Sequence, residues 1–346
     1  MAVERDGISV RQMMVLLGVA LLAPMSELLP NLAAGGLGSA GWLAPAAAFP
    51  LLLLALWAAA RLGRRTGGVA VRLFHIVYML WAVWTLGLSL ALALVRMQSV
   101  YQHTQALLWT LALLALAVWM ALGKPAALAR AGQIFYLALT VGVLAVLVLA
   151  AGSVRWSNLR VEAGALADLP LTGALTAGVL LNVAPAALLE GQMLSLPGDR
   201  RRGIGWTAVI CAVAAALLAA MVGCLGPGLT VRLAAPFLTM VQGLRLQGAF
   251  QRTEALFAAL WLLSDLTLCT LMLHAWRRGW QQVCPGRSCR WSVYPAALAG
   301  ALLGWLLAGQ VENPGRWLLL PALLGLGLGL ALPLILLTFA QGRRKR

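Results

Sequence analysis

Two long apolar stretches of the chain are each interrupted by a proline and followed by a carboxylate. The first contains Ala23-Pro24-Met25-Ser26-Glu27, and the second contains Asn182-Val183-Ala184-Pro185 with Glu190 five residues later. A proline inside a helix frees backbone carbonyl groups, which can bind a cation or a ligand ammonium. A helix that restarts after a proline offers its amides to a ligand carboxylate. The two interruptions therefore predict a binding site for a small amino-acid-like molecule.

Acidic residues also mark the eighth apolar stretch. Glu254, Trp261 and Asp265 are spaced to share one helix face, and Asp265 falls near mid-membrane. A carboxylate at that depth must be protonated, paired or hydrated. We predict that Asp265 and Glu190 couple an ion or a proton. The alternatives are a structural hydrogen bond from Asp265 to the first span and an inner-interface position for Glu190.

A polar and aromatic stripe in the third stretch could wall the same site. Tyr78, Trp81, Thr85 and Ser89 recur at helical spacing, although such stripes more often pack against other helices. Glu27 also has an alternative, because near the outer interface its side chain could extend to water. The residues predicted to bind the ligand are Ala23, Pro24, Met25, Ser26, Glu27, Trp81, Asn182, Ala184 and Pro185.

The composition is that of a membrane protein. Hydrophobic residues make up 62% of the chain and charged residues 10%, whereas soluble domains carry roughly 25% charged residues. Each membrane-spanning helix needs about 20 apolar residues, so we predict an all-α polytopic domain over residues 1–346. Its ten predicted spans lie near 8–32, 40–60, 73–95, 105–122, 131–152, 172–195, 203–226, 252–275, 292–310 and 317–340.

The basic residues predict the orientation. With the N-terminus in the cytoplasm, most of the 26 Lys and Arg residues fall on the cytoplasmic side, so the positive-inside rule places both termini there. The net charge of +16 then reflects topology and attraction to anionic lipid rather than nucleic-acid binding. The two halves, about 8–152 and 172–340, have opposite orientations and each opens with a broken span. This layout predicts a five-plus-five inverted repeat.

No feature of the sequence indicates an enzyme. The chain has no nucleophile motif, phosphate loop or convincing metal cluster, so neither catalysis nor a cofactor is predicted. Cys211, Cys224 and Cys269 lie in apolar stretches, where a thiol usually packs. Cys284 and Cys289 share a connection on the predicted reducing side, and without further ligands a metal or redox role for them is not favoured.

The connection over about 227–251 contains a short amphipathic segment. Phe237, Met240, Val241 and Leu244 fall on one helix face. Such a helix could lie over the external mouth of the bundle or rest on the membrane interface.

This connection and the stretch after it resemble a known family, the B subunits of spore germination receptors. That family shows a proline-led amphipathic segment, an F-x-R-x-[DE]-A-[LIF]-F pattern and a downstream tryptophan. The matching residues are Pro236-Phe237-Leu238-Thr239-Met240-Val241, Phe250-Gln251-Arg252-Thr253-Glu254-Ala255-Leu256-Phe257 and Trp261, with a weaker match at Ile8-Ser9, Gln12, Leu28-Leu29-Pro30 and Gly41-Trp42-Leu43.

The resemblance implies the fold of the amino acid–polyamine–organocation transporter superfamily, with spans 1 and 6 broken. It also implies a subunit that senses germinants, typically amino acids, beside A and C subunits in the spore inner membrane. The chain departs from the family at Ala23-Pro24-Met25, where a glycine-containing break is usual, at Glu27, where an aliphatic residue is usual, and at Ser264-Asp265, which replaces an apolar run.

Three functions are consistent with these patterns. The first is a germinant-sensing receptor subunit, and the second is an amino acid permease of the same fold. The third is a structural membrane subunit that has lost its pocket. A permease would concentrate amino acid by itself, whereas a receptor would bind ligand without net transport.

Overall fold

The computed structural model describes residues 8–63, 69–101, 103–194, 199–244, 253–285, 289–311 and 316–342. Within these ranges, ten helical stretches are long and apolar enough to cross a membrane. The chain is therefore an all-α polytopic membrane protein, as predicted. The ten spans are Val10–Glu27, Leu29–Ala58, Arg72–Gln98, Thr104–Leu122, Pro125–Ala151, Gly164–Leu189, Arg201–Leu225, Leu256–Val283, Val293–Val311 and Leu319–Thr338.

The spans are built from α-helices and a few irregular helical segments. The α-helices are α1 (Val10–Glu27), α2 (Leu29–Leu37), α3 (Ala44–Gly63), α4 (Val69–Gln98), α5 (His103–Leu122), α6 (Pro125–Ala151), α7 (Leu169–Leu180), α8 (Asp199–Leu225), α9 (Pro227–Thr230), α10 (Pro236–Gly243), α11 (Thr253–Val283), α12 (Val293–Val311), α13 (Leu319–Leu324) and α14 (Leu332–Gly342). Five 3₁₀-helices cover Gly38–Leu43, Trp156–Leu159, Ala163–Asp168, Leu181–Gln192 and Arg316–Leu318, and a π-helix covers Gly325–Ala331.

Four spans form the interior of the bundle. In the most apolar stretch of spans 1, 3, 6 and 8, 72–78% of the residues are buried, compared with 28–50% in the other six. A helix that is apolar on all sides and buried is an interior helix. The outer spans present large apolar side chains such as Trp119, Ile134 and Trp305 on the protein surface, where lipid would surround them. The four inner spans are therefore the ones that can enclose a site.

The start of span 1 is fixed by its sequence. Ser9 Oγ accepts a hydrogen bond from the Gln12 amide at 3.2 Å, and the Gln12 side chain accepts one from the Ser9 amide at 3.0 Å. This reciprocal capping box pairs two amides that would otherwise have no partner. It also gives a physical role to Ser9 and Gln12.

Span 1 continues almost unbroken into α2. The Leu28 amide donates to the Pro24 carbonyl at 2.9 Å, so a helical hydrogen bond crosses the junction between α1 and α2. Helix α2 ends at Leu37, and Gly38, the residue after it, has a φ of +57°. The 3₁₀ turn that follows packs back on α2, since a Cβ at Gly41 would come within 3.0 Å of the Ala33 backbone.

Span 6 changes its helical type halfway. Helix α7 ends at Leu180, and the chain continues as a 3₁₀-helix from Leu181 to Gln192. Runs of 3₁₀-helix longer than three or four residues are uncommon. After it, β2 (Met193–Leu194) pairs in parallel with β1 (Ile8–Ser9), which precedes α1. One end of span 6 is thereby joined to the start of span 1 by backbone hydrogen bonds.

Candidate functional site

Three charged side chains from three inner spans meet in the interior. Arg96 on α4 donates from Nη1 to Glu27 Oε1 at 2.7 Å, and its Nη2 donates to Asp265 Oδ2 on α11. The exposed fraction of these three side chains is only 1–4%. Asp265 Oδ1 also accepts from Ser89 Oγ at 3.4 Å. We call Glu27, Arg96 and Asp265 the charge triad.

Arg96 is the functional candidate that the sequence interpretation missed. The third predicted span ends near residue 95 and leaves Arg96 in the connection after it, and this is wrong, because α4 continues to Gln98 and buries the Arg96 side chain. Its position carried a signal, since it lies seven residues after Ser89 and continues the predicted polar stripe. The partners of Arg96 are far away in sequence, so spacing alone did not reveal the pairing.

The predicted break of span 1 near Pro24 is wrong. Helix α1 includes these residues and ends at Glu27, with Pro24 inside it. The distortion that the proline causes is absorbed by Ser264 on α11. Ser264 Oγ accepts from the Ala23 amide at 3.0 Å and donates to the Val19 carbonyl at 2.6 Å, two groups that a regular helix would pair with each other. A side chain inserted in this way is a recognised cause of helix distortion.

The structural alternative, a hydrogen bond from Asp265 to span 1, is wrong in the residue that it names. A hydrogen bond does join span 8 to span 1, but Ser264 makes it, while Asp265 pairs with Arg96 and Ser89 on span 3. The backbone groups expected to receive a ligand ammonium near Pro24 already contact this serine, which lies 3.5 Å from the Ala20 carbonyl.

Helix α10 covers the inner bundle beside the triad. Its residues Phe237, Met240 and Val241 are buried, and Phe237 stacks on Trp261 with 4.2 Å between ring centroids. Trp261 Nε1 donates to Ser26 Oγ at 2.7 Å. The amphipathic segment therefore packs on the bundle. Residues 250–252 of the resembling motif lie outside the described residues, as does the side chain of Glu254.

Asn182 sits at the point where span 6 becomes a 3₁₀-helix. Its Nδ2 donates to the carbonyls of Gly178, Val179 and Pro321 at 3.0–3.2 Å. Its Oδ1 accepts from Trp81 Nε1 at 3.3 Å. The Asn182 carbonyl accepts from Thr85 Oγ1 at 3.0 Å. The predicted residues Trp81 and Asn182 are thus brought together, and they bind each other.

The remaining predicted residues have different surroundings. Pro185 is buried inside the 3₁₀-helix, which begins at Leu181, so the expected new helix start after Pro185 is wrong. Ala184 is half-buried beside it, and Met25 is buried in the core of the bundle. The side chain of Glu190 lies outside those that the structure describes.

The interior polar groups form one line along α4. Tyr78 donates to the Leu328 carbonyl of the π-helix at 3.0 Å. Trp81 and Thr85 bind Asn182. Further along α4, Ser89 binds Asp265 and Arg96 binds Glu27. The stripe predicted as a pocket wall therefore connects spans 1, 6, 8 and 10 through hydrogen bonds.

A cavity of about 760 Å³ lies elsewhere, where the end of α5 and the start of α6 meet the start of α12. Trp119, Arg290, Trp291 and Tyr294 are among its lining residues. Among the described residues, no group of three or more His, Cys, Asp or Glu side chains is placed to hold a metal ion.

Cys289 is distinguished from the other thiols by its neighbours. Gln281 Nε2 donates to its Sγ at 3.0 Å. Partial burial acts to raise the pKa of Cys289, but hydrogen bonds from Arg277 and Gln281 outweigh it and the pKa is lowered below its usual value.

The sequence of the chain was compared with known proteins. No protein-family profile matches the chain, and no curated protein matches it significantly.

Proposed function

We propose that the protein senses a small amino-acid-like molecule within its inner bundle, as the membrane subunit of a spore nutrient-germinant receptor. Ligand binding would shift a conformational equilibrium and so trigger germination. In this proposal the protein lies in the spore inner membrane with both termini cytoplasmic, beside the A and C subunits of the receptor.

The observation that carries the proposal is the change of span 6 to a 3₁₀-helix at Asn182. Irregular backbone at membrane depth is tolerated where protein or a cavity surrounds it, and a 3₁₀ stretch within a helix often marks a hinge. Asn182 holds this point to spans 3 and 10 through Trp81 and Pro321. A ligand that replaced these bonds would release span 6 from both neighbours.

The burial of the spans supports a transporter-like repeat. The four most buried spans, 1, 3, 6 and 8, form two pairs that are five apart in chain order, which is what a five-plus-five repeat requires. In transporters of this kind the substrate site lies between the two repeats near mid-membrane. The resemblance of the α10 and α11 segments to germination receptor B subunits supports a sensor within this class.

Ligand-dependent stabilisation of the purified protein tests the proposal. In a thermal-shift screen against amino acids, nucleosides and sugars, we expect at least one amino acid to raise the unfolding temperature. Trp81→Phe removes the hydrogen bond to Asn182 but keeps an aromatic ring, and should change the concentration of ligand needed. Trp84→Phe is the matched control, because Trp84 Nε1 has no hydrogen-bond partner among the described residues.

Spore germination provides the physiological test. In a strain without redundant receptors, deletion of the protein should abolish the response to the ligand found in the screen. Normal germination of these spores with every nutrient tested would refute the receptor proposal.

The charge triad favours a second candidate, an ion-coupled amino acid permease. Ionisable groups in the interior of membrane proteins commonly mark ion or proton pathways. The two candidates differ in transport. Concentrative uptake of labelled amino acid by the protein alone in proteoliposomes would favour the permease, and ligand binding without uptake would favour the receptor.

A further inference from the structure

The charge triad contains two carboxylates and one guanidinium. If all three groups were ionised, spans 1, 3 and 8 would enclose a net charge of −1 in their shared interior. An uncompensated ion in a medium of low polarity costs several kcal/mol, and such a group usually becomes neutral instead. The triad therefore requires one more positive charge than Arg96 supplies.

The two carboxylates differ in how well they are paired. Both carboxylate oxygens of Asp265 accept hydrogen bonds. Oδ1 accepts one from Ser89, and Oδ2 accepts one from Arg96. Glu27 Oε1 accepts from Arg96, but Glu27 Oε2 is buried and has no hydrogen-bond partner among the described residues. A negative charge is less costly on the carboxylate with more donors. The missing positive charge is therefore expected at Glu27 Oε2.

The charge of Glu27 depends on the other two members of the triad. Helices α2, α7 and α10 pack against α1 and carry no ionisable side chain. The charges that act on Glu27 are those of Arg96 on α4 and Asp265 on α11. The described ionisable groups on α6 and α8, which also pack on α1, are Arg130, Tyr136, Arg201, Arg202, Cys211 and Cys224. The 3₁₀-helix Leu181–Gln192 contacts α1 as well, and the side chain of its Glu190 lies outside those that the structure describes.

We infer that Glu27 is a proton-binding site, which carries a proton on Oε2 at neutral pH while Asp265 and Arg96 remain ionised. The ligand is a proton because a metal cation needs about six oxygen ligands, and Oε2 has none of the described polar groups within bonding distance. The inference does not rest on the proposed function, since it applies equally to a receptor and to a permease.

Infrared spectroscopy of the purified protein tests the site directly. At neutral pH the wild type should show the carbonyl band of a protonated carboxylic acid. Glu27→Gln should abolish the band and fold normally, because Gln mimics the neutral acid and can still accept from Arg96. Asp265→Asn should abolish it as well, because Arg96 then balances an ionised Glu27. The matched control is Glu162→Gln at an exposed position, which should leave the band intact.

A second measurement covers the case in which overlapping bands obscure the spectrum. An unfolded glutamate is ionised above about pH 4.3, so a folded state that keeps the proton loses stability as pH rises. The folding equilibrium constant of the wild type should fall about tenfold per pH unit relative to that of Glu27→Gln. This pH dependence of the folding equilibrium ends at the pH at which Glu27 loses its proton in the folded protein.

Two results would overturn the inference. One is a wild-type spectrum without the band, together with stability that depends on Na⁺ or K⁺, which would assign a cation to the site. The other is equal pH dependence in the wild type and in Glu27→Gln, which would show that Glu27 binds no proton.

Discussion

Removing the only cation of the triad should destabilise the protein in a way that depends on which carboxylate remains. Arg96→Gln leaves two carboxylates in the interior, with Ser89 as the one other polar side chain that contacts them among the described residues. Breaking a buried ion pair costs about 3–5 kcal/mol, because a charge is left without compensation. If Glu27 is already neutral, nearly all of this cost comes from Asp265.

Two double variants separate the contributions. Arg96→Gln with Asp265→Asn leaves a protonated Glu27 and no ion, so most of the lost stability should return. Arg96→Gln with Glu27→Gln still contains the unpaired Asp265, so it should recover much less. The expected difference between the double variants is therefore also a few kcal/mol, close to the cost of one unpaired buried charge.

The free energy of unfolding in detergent micelles, followed by tryptophan fluorescence during denaturant titration, measures these differences at one fixed pH. The double variants keep the test informative even if Arg96→Gln alone does not fold. Equal recovery by both would refute the reasoning, because it would mean that the two carboxylates share the charge equally.

Three further predictions concern other parts of the molecule. Gly325→Ala should destabilise the protein by about 1–3 kcal/mol, because its Cβ would come within 1.7 Å of the Gly178 carbonyl oxygen. Gly327→Ala is the control and should be tolerated, because a Cβ at Gly327 meets nothing within 4 Å. Denaturant titrations of both variants measure the difference in the free energy of unfolding. Trp261→Phe should cost about 1 kcal/mol for its lost hydrogen bond to α1 while keeping the ring stack, and a loss of more than 3 kcal/mol would contradict this. Cys289, with its lowered pKa, should react with an impermeant maleimide at a lower pH than an ordinary thiol. In the proposed orientation it should react only after the cytoplasmic side is opened, and peptide mass spectrometry measures this labelling.

The sequence predicted the spans well because their signal is local. An apolar stretch of about 20 residues has few alternatives to a membrane helix, and the described part of the chain contains ten such helices. Pro185 marked a place where the backbone departs from an α-helix, whereas Pro24 lies inside α1. Proline, however, does not determine how the chain responds, and the two sites respond differently.

What the sequence could not supply was the partner of each polar group. Pro24 stays inside a helix because Ser264, 241 residues from Ala23, inserts into the hydrogen-bond ladder. Asn182 was expected to bind a ligand, yet Trp81 and the backbone of spans 6 and 10 occupy its side chain. Contacts of this kind depend on how helices face one another, which hydrophobic periodicity leaves undetermined in a helix that is apolar on all sides.

The 3₁₀ stretch makes span 6 longer than an α-helix of the same residues would be. A 3₁₀-helix rises about 2.0 Å per residue and an α-helix about 1.5 Å. The 12 residues from Leu181 to Gln192 would therefore shorten by about 6 Å on rewinding into an α-helix, slightly more than one α-helical turn.

The strand pair joins the end of this segment to the start of span 1. Met193 follows this segment directly and pairs with Ile8, two residues before α1 begins. Because the pairing uses backbone groups, a shortening of span 6 would pull the start of span 1 along the membrane normal rather than separate the two spans. The strand pair thus connects the 3₁₀ stretch of span 6 to the helix that carries Glu27.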